Sequence, residues 1–145
     1  MSTIRGCNLP ENLLYSVEHN TWVRREKDGS VTVGMTAYAA AVVGRIVSYS
    51  PKRVGKEVKK DKSCATIESE RWVGPAKSPV GGEVVEINEQ VAANPALINA
   101  DPYGEGWLIR ISAQDWELDS EALLTGQAAL DAFDARMQED GFNCG

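Results

Sequence analysis

The sequence has a single histidine, only three cysteines and no long apolar run. A metal-binding or catalytic histidine normally needs companions, and no Cys/His cluster with ligand spacing accompanies His19, so we expect a local structural role for it and no metal site. The longest uninterrupted apolar stretch, Ala37 to Val43, has seven residues and is too short to span a membrane. Residues 1–15 lack the apolar core of a secretory signal, so a cytoplasmic location is expected.

The three cysteines cannot all pair with one another, and without an export signal a reducing compartment is expected. Cys64 falls in an alternating strand pattern, which predicts a small buried apolar side chain. Cys7 and Cys144 stand next to glycine near opposite ends of the chain. We expect both to be exposed, as candidates for redox chemistry or partner contact or without a role.

The charge of the chain is acidic, with 15 Lys and Arg against 21 Asp and Glu and a net charge of −6. Nucleic acid is therefore not an expected partner, because neutralising phosphates requires an excess of basic residues. Residues 51–62 hold six basic and two acidic residues, whereas residues 115–140 hold eight acidic residues and one arginine. This asymmetry fits two solvated faces, or a basic edge that steers docking to an acidic partner.

Local patterns predict a single domain made of short strands followed by a helix. Asp28-Gly29 lies between the β-like runs 21–26 and 30–35, which is typical of a hairpin. Thr36 is a suitable N-cap for a short helix over 37–43 that ends at Gly44. Further strands are predicted over 45–50, 64–69, 76–80, 83–88 and 107–112, and a helical turn over 95–98. The apolar stripe of Leu130, Phe133 and Met137 predicts a closing helix after Thr125.

Five segments of the sequence resemble the glycine cleavage H-protein family, in matching order and spacing over nearly the whole chain: 15–19 (YSVEH), 33–36 (VGMT), 67–71 (IESER), 78–85 (SPVGGEVV) and 94–107 (NPALINADPYGEGW). The resemblance implies a mainly β, lipoyl-domain-like hammerhead of two small antiparallel sheets, a flattened barrel or sandwich, with peripheral helices and a C-terminal helix over 126–140. It also implies one domain over 1–145 with an N-terminal extension over 1–13. The protein would be a monomeric, non-catalytic carrier in a multienzyme system.

The family carries lipoate on a lysine at a hairpin tip, and this chain has Arg71 at that position. Acylation needs a neutral amine, which lysine can supply but a permanently charged, delocalised guanidinium cannot. No lipoyl group is therefore expected on Arg71. Lys77 is a weaker alternative, because it is predicted to lie in the returning strand as an ordinary solvated lysine.

Two subfamilies fit the resemblance, and residues 72–75 (WVGP) together with the two chain ends favour the lipoate-binding proteins of bacterial sulfur oxidation. The partners would then be a heterodisulfide-reductase-like complex and lipoate-attachment enzymes. The alternatives are an H-protein that carries aminomethyl groups between glycine cleavage enzymes, and an unmodified docking or regulatory homologue. Tyr38 and Trp72 are possible contacts of a lipoyl arm, although packing would explain either side chain.

Overall fold

The computed structural model describes residues 2–145, which form a mainly β structure with antiparallel sheets. The strands are β1 (Ser2–Ile4), β2 (Cys7–Leu9), β3 (Leu14–Ser16), β4 (Thr21–Arg25), β5 (Ser30–Met35), β6 (Ile46–Pro51), β7 (Glu57–Val58), β8 (Lys62–Ser69), β9 (Val73–Ser78), β10 (Gly82–Ile87) and β11 (Ile109–Ala113). The helices are α1 (Ala37–Val43), α2 (Glu89–Ala93), α3 (Leu97–Ala100), α4 (Trp116–Asp119) and α5 (Gly126–Asp140), with a 3₁₀ turn at Ser120–Ala122.

The strands form three sheets that do not close into a barrel. The largest has the order β3-β4-β5-β11-β10-β7, the second β6-β8-β9, and the smallest is the β1-β2 hairpin. The expected mainly β hammerhead is therefore confirmed, as an open arrangement rather than a flattened barrel. None of the helices in residues 2–145 has both the length and the apolar character needed to cross a bilayer.

Local sequence signals explain several element boundaries. Gly29 adopts a φ of +90° in the β4–β5 turn, a conformation that favours glycine. The Thr36 side chain accepts a hydrogen bond from the amide of Ala39, as expected for an N-cap. Asn88 caps α2 in the same way, although the sequence pattern did not predict that helix.

Two hydrophobic clusters hold the layers together. The first contains the inward side chains of the six-stranded and three-stranded sheets, among them Val33, Ile111, Ile67 and the buried Cys64. The second lies beneath α5, where Leu130, Phe133 and Met137 are buried. The predicted apolar stripe of the closing helix is thus confirmed as a packing face.

The segment expected to be an N-terminal extension is part of the folded structure. Its β1–β2 hairpin contributes Cys7 and Leu9, both buried, to the second cluster. Strand β9 begins at Val73 rather than at the predicted Ala76, so the hairpin tip between β8 and β9 is only three residues long. This short tip fixes the geometry of the candidate site.

Candidate functional site

The tip of the β8–β9 hairpin consists of Glu70, Arg71 and Trp72, and all three residues are exposed. The amide of Ser69 donates a 2.7 Å hydrogen bond to the carbonyl oxygen of Trp72, which closes the turn. Position 71 thus lies at an exposed hairpin tip, as predicted. We define Glu70–Trp72 as the tip.

The guanidinium of Arg71 lies against the carboxyl end of helix α1. Its Nη2 atom donates hydrogen bonds to the carbonyl oxygens of Ala41 at 3.1 Å and Val42 at 2.9 Å. The close approach depends on Gly44, because a Cβ at that position would lie 3.1 Å from Arg71 Nε. Cations are favoured here because the last carbonyls of a helix have no partner within it and carry partial negative charge.

The remaining carbonyls of this helix end also have side-chain partners. Ser69 Oγ donates to the carbonyl oxygen of Val43 at 2.6 Å. Asn99 Nδ2 donates to the carbonyl oxygens of Ala40 at 3.3 Å and Gly44 at 2.8 Å. Arg71, Ser69 and Asn99 together satisfy each carbonyl from Ala40 to Gly44, so Arg71 of the tip and the adjacent Ser69 cap α1. In the sequence, Gly44 indicated that the helix ends here. The side chains that bind the last carbonyls lie far away in the sequence, so no local pattern predicted them.

The covalent lipoyl group of the family does not fit this tip. A guanidinium does not form the required amide, and the guanidinium of Arg71 is already hydrogen-bonded to two main-chain oxygens. Lys77 lies within β9 opposite Ser63, away from the tip, as the sequence predicted. The tip can therefore present a fixed positive charge, and it has no amine for acylation.

Beside the tip is a cleft of about 210 Å³ with mainly apolar walls. The indole of Trp72 lies over Gly74, where a Cβ would come within 2.3 Å of the ring, and it forms part of the cleft wall. The lining residues are His19, Asn20, Thr21, Met35, Ala39, Val42, Val43, Ile67, Trp72, Pro75 and Ala76. Such a cleft can accept a small apolar group.

One wall of the cleft contains a buried hydroxyl that sequence reasoning missed. Thr21 is 1% exposed, and its Oγ1 has no hydrogen-bond partner within residues 2–145. An unpaired buried hydroxyl is unfavourable, because it loses its bonds to water without replacement. The sequence carries no signal for this, because β4 reads as an ordinary strand.

His19, at the edge of the cleft, is tied to the neighbouring residue Asp61, which fits the predicted local structural role. Its Nε2 atom lies 2.8 Å from Asp61 Oδ1, and Lys60 Nζ lies 2.7 Å from Asp61 Oδ2. Partial burial raises the pKa of Asp61, but the hydrogen bonds from Lys60 and His19 outweigh it and hold that pKa below its usual range. Residues 2–145 contain no group of three or more His, Cys, Asp or Glu side chains that could hold a metal ion.

Tyr38 lies outside the lining of the cleft and packs against the C-terminal region. Its ring centroid is 5.4 Å from that of Phe142, and its hydroxyl donates to a carboxylate oxygen of Asp140. Burial and this carboxylate raise the pKa of Tyr38 to about 12. The structure therefore supports a packing role for Tyr38, whereas Trp72 does line the cleft.

The expectation that Cys7 and Cys144 are exposed free thiols is wrong. The structure joins them in a disulfide with a Cα–Cα distance of 5.0 Å, and Cys7 is 1% exposed. The sequence separation of 137 residues concealed this pairing, which depends on the β1–β2 hairpin and the chain end after α5 coming together. Cys64 is buried as predicted, and burial raises the pKa of its thiol to about 12.

Comparisons with known proteins agree on one family. The Glycine cleavage H-protein family profile matches residues 13–135. The chain is 47% identical to glycine cleavage system H protein 5 of Aquifex aeolicus, and the match covers 100% of both chains. It is 41% identical to glycine cleavage system H protein 2 of the same organism, over 97% of this chain and 88% of the relative. A crystal structure of a glycine cleavage system H protein from Mycobacterium marinum superposes with a TM-score of 0.74 at 28% identity, covering 92% of this chain and 100% of the other.

Proposed function

Because the chain belongs to the glycine cleavage H-protein family, whose members are non-catalytic lipoyl carriers, we propose that it is an unlipoylated member that docks on the enzymes recognising H-proteins. The observation that supports this most directly is the position of the Arg71 guanidinium on the carbonyls of α1. In this chain the tip binds its own helix where the family presents a cofactor. The protein would bind to an enzyme surface without presenting a lipoyl group there.

Capping and carrying exclude each other at this position. A lysine whose amine is in an amide bond has lost its positive charge and keeps one N–H, so it cannot replace the two hydrogen bonds of Arg71. Its chain would also have to leave the helix end to display the acyl group. A family member with arginine at this position therefore has a fixed tip and no mobile lipoyl arm.

The enzymes of glycine cleavage are the partners that the comparisons favour. The relatives named above are glycine cleavage system H proteins, and none of these names refers to sulfur oxidation or to a heterodisulfide-reductase-like complex. The sulfur-oxidation assignment rested on residues 72–75 and on the chain ends, and the comparisons give it no support. We therefore propose docking to glycine cleavage enzymes as the primary function.

The surface for docking would be an apolar patch around the tip. Val42, Trp72 and Val73, which lie at or beside the tip, are 42%, 38% and 64% exposed, which is high for large apolar side chains. Aromatic residues are enriched in the centres of protein interfaces. We define these three side chains as the tip patch, with the charge of Arg71 beside it.

Intact mass spectrometry tests the absence of lipoylation. The native protein and Arg71→Lys would each be produced with a lipoate ligase and lipoate. We expect no lipoyl mass on the native chain and one on Arg71→Lys. Arg53→Lys is the matched control, because it adds a lysine at an exposed site outside the tip and should gain no lipoyl mass. A lipoyl group on the native protein would contradict the proposal.

A competition assay tests the docking itself. A lipoylated H-protein would supply glycine cleavage with its partner enzymes, and the native chain would be added in increasing amounts. We expect inhibition that a higher concentration of the lipoylated protein overcomes. Trp72→Ala should weaken the inhibition, whereas Val85→Ala, which removes an exposed apolar side chain on β10, should not. Failure to inhibit at any ratio would overturn the docking proposal.

A further inference from the structure

The two chain ends form a compact covalent junction. The Cys7–Cys144 disulfide links β2 to residues 141–145, which we call the tail. The amide of Cys144 donates to the carbonyl oxygen of Arg5 at 2.9 Å, and Arg5 Nε donates to Asp134 Oδ1 of α5 at 2.8 Å. The disulfide thus fastens the tail across the N-terminal hairpin.

The two sulfur-bearing residues differ in accessibility. Cys7 is 1% exposed, whereas Cys144 is partly exposed and lies between the exposed Asn143 and Gly145. Thiol–disulfide exchange begins when a thiolate reaches one of the two sulfurs, so access determines which sulfur is attacked. Attack from solvent should therefore occur at Cys144, with the Cys7 thiolate as the leaving group.

Few contacts other than the disulfide hold the tail. Within it, the amides of Gly141 and Phe142 bond to the end of α5 at 3.2 and 3.0 Å, and the Phe142 ring packs on Tyr38. Further on, the amide of Cys144 donates to the carbonyl oxygen of Arg5, and the backbone of Gly145 lies close to Gly6 of the N-terminal hairpin. Cleavage of the disulfide would leave residues 143–145 held to the N-terminal hairpin by that hydrogen bond and by the packing of Cys144 and Gly145.

We propose that Cys7–Cys144 is an exchange site for dithiols, and that its reduction releases the tail from the N-terminal hairpin. One thiolate of the dithiol attacks the sulfur of Cys144, forming a mixed disulfide and expelling the Cys7 thiolate, which takes up a proton. The second thiol of the reagent, as its thiolate, then attacks the reagent's first sulfur, the one bonded to Cys144 in the mixed disulfide. This step expels the Cys144 thiolate, which is protonated. The dithiol leaves as a disulfide, having lost two electrons and two protons, and the protein has gained two thiols.

Alkylation under native conditions tests the exchange. The protein would be oxidised with glutathione disulfide, treated with dithiothreitol without denaturant, quenched with iodoacetamide and weighed intact. We expect two alkyl groups, mapped to Cys7 and Cys144, and none on the buried Cys64. A requirement for denaturant before any alkylation would overturn the proposal, and so would alkyl groups on Cys7 and Cys144 after the oxidation step alone.

Trapping with a monothiol tests the direction of attack. Reduced glutathione should leave its mixed disulfide on Cys144, and an adduct on Cys7 would contradict the assignment. Two variants give a matched comparison: the Cys144 thiol in Cys7→Ser should react with Ellman's reagent at least about tenfold faster than the Cys7 thiol in Cys144→Ser. Equal rates in folded variants, checked by circular dichroism, would overturn the asymmetry. The glutathione result stands on the native sequence even if a variant does not fold.

Hydrogen exchange tests the release of the tail. On reduction, the amide of Cys144 should exchange faster, because its acceptor, the carbonyl of Arg5, belongs to the hairpin from which the tail is released. Exchange of Ile111, buried in the first cluster, should not change and is the internal control. Unchanged exchange at Cys144 after full reduction would show that the tail stays bound and would overturn this part of the proposal.

Discussion

The guanidinium of Arg71 lies 2.9 Å from the carbonyl oxygen of Val42, so the exposed hairpin tip and the carboxyl end of α1 are one structural unit. Twenty-nine residues separate the two in sequence. The contact gives an otherwise exposed turn a fixed position relative to the helix. Because of this contact, the Arg71 side chain should contribute measurably to the free energy of unfolding.

Arg71→Ala should lower the free energy of unfolding by about 1 kcal/mol, because two hydrogen bonds to helix carbonyls are lost at an exposed site. Chemical denaturation gives this value directly. Arg53→Ala removes an exposed arginine elsewhere and should change stability by no more than about 0.5 kcal/mol. Equal effects of the two substitutions would show that Arg71 does not cap the helix.

Thr21→Val should stabilise the protein by about 1 kcal/mol, because it replaces an unpaired buried hydroxyl with a methyl group of similar shape. Thr32 is the matched control, since it is equally buried but its Oγ1 donates to Glu26 and accepts from Arg110. Thr32→Val should therefore be destabilising by about 1–3 kcal/mol. Thermal unfolding of both variants decides the question, and a loss of stability in Thr21→Val would reveal a partner for that hydroxyl.

Phe133→Ala should cost about 3–5 kcal/mol, because it leaves a cavity beneath α5. The ring is buried and meets Tyr15 edge-on, with centroids 5.5 Å apart. Gln138→Ala changes an exposed position on the same helix and should have an effect within about 0.5 kcal/mol. Urea unfolding monitored by circular dichroism measures both, and a small effect at Phe133 would mean that α5 is only loosely packed.

Stability should fall as the pH rises from about 10 to about 12, the interval between the ordinary tyrosine pKa and the raised values in the folded protein. Burial raises the pKa of Tyr38, Tyr49 and Tyr103 to about 12, and burial also raises that of Tyr15. In this interval the unfolded chain releases phenolic protons that the folded chain retains, so unfolding is favoured. Ultraviolet absorbance of tyrosinate should show a midpoint near 12 in the folded protein and near 10 in urea. A folded midpoint near 10 would contradict the burial of these phenols.

The sequence predicted the elements whose signals are local. Helix α1 has the predicted bounds, and its N-cap Thr36 lies next to it. Strand β5 and helix α5 also have the predicted limits, because a Gly turn and a periodic apolar stripe each lie within a few residues of the element they determine. Thr125 does precede α5, but its hydroxyl donates to the carbonyl oxygens of Glu11 and Leu13 and does not cap the helix as predicted. The resemblance added the position of Arg71 at the tip, which no periodicity reveals.

What the sequence did not predict depends on contacts between distant residues. The bonds from Arg71 to α1 span about 30 positions, and those from Asn99 span more than 50. The Cys7–Cys144 pair spans nearly the whole chain. The glycine next to each cysteine led only to the expectation that both side chains are exposed, and no local pattern predicted their pairing. The unpaired state of Thr21 is a property of its surroundings in three dimensions, and no local pattern encodes it.

The disulfide between the chain ends turns residues 7–144 into a closed covalent ring. A protease that cuts one exposed loop of the oxidised protein opens the ring and adds one water, but the two pieces stay joined until a reductant acts. New termini could accordingly be opened in a surface turn such as Asp28-Gly29 while Cys7 and Cys144 remain joined, which makes the oxidised chain a suitable template for circular permutation.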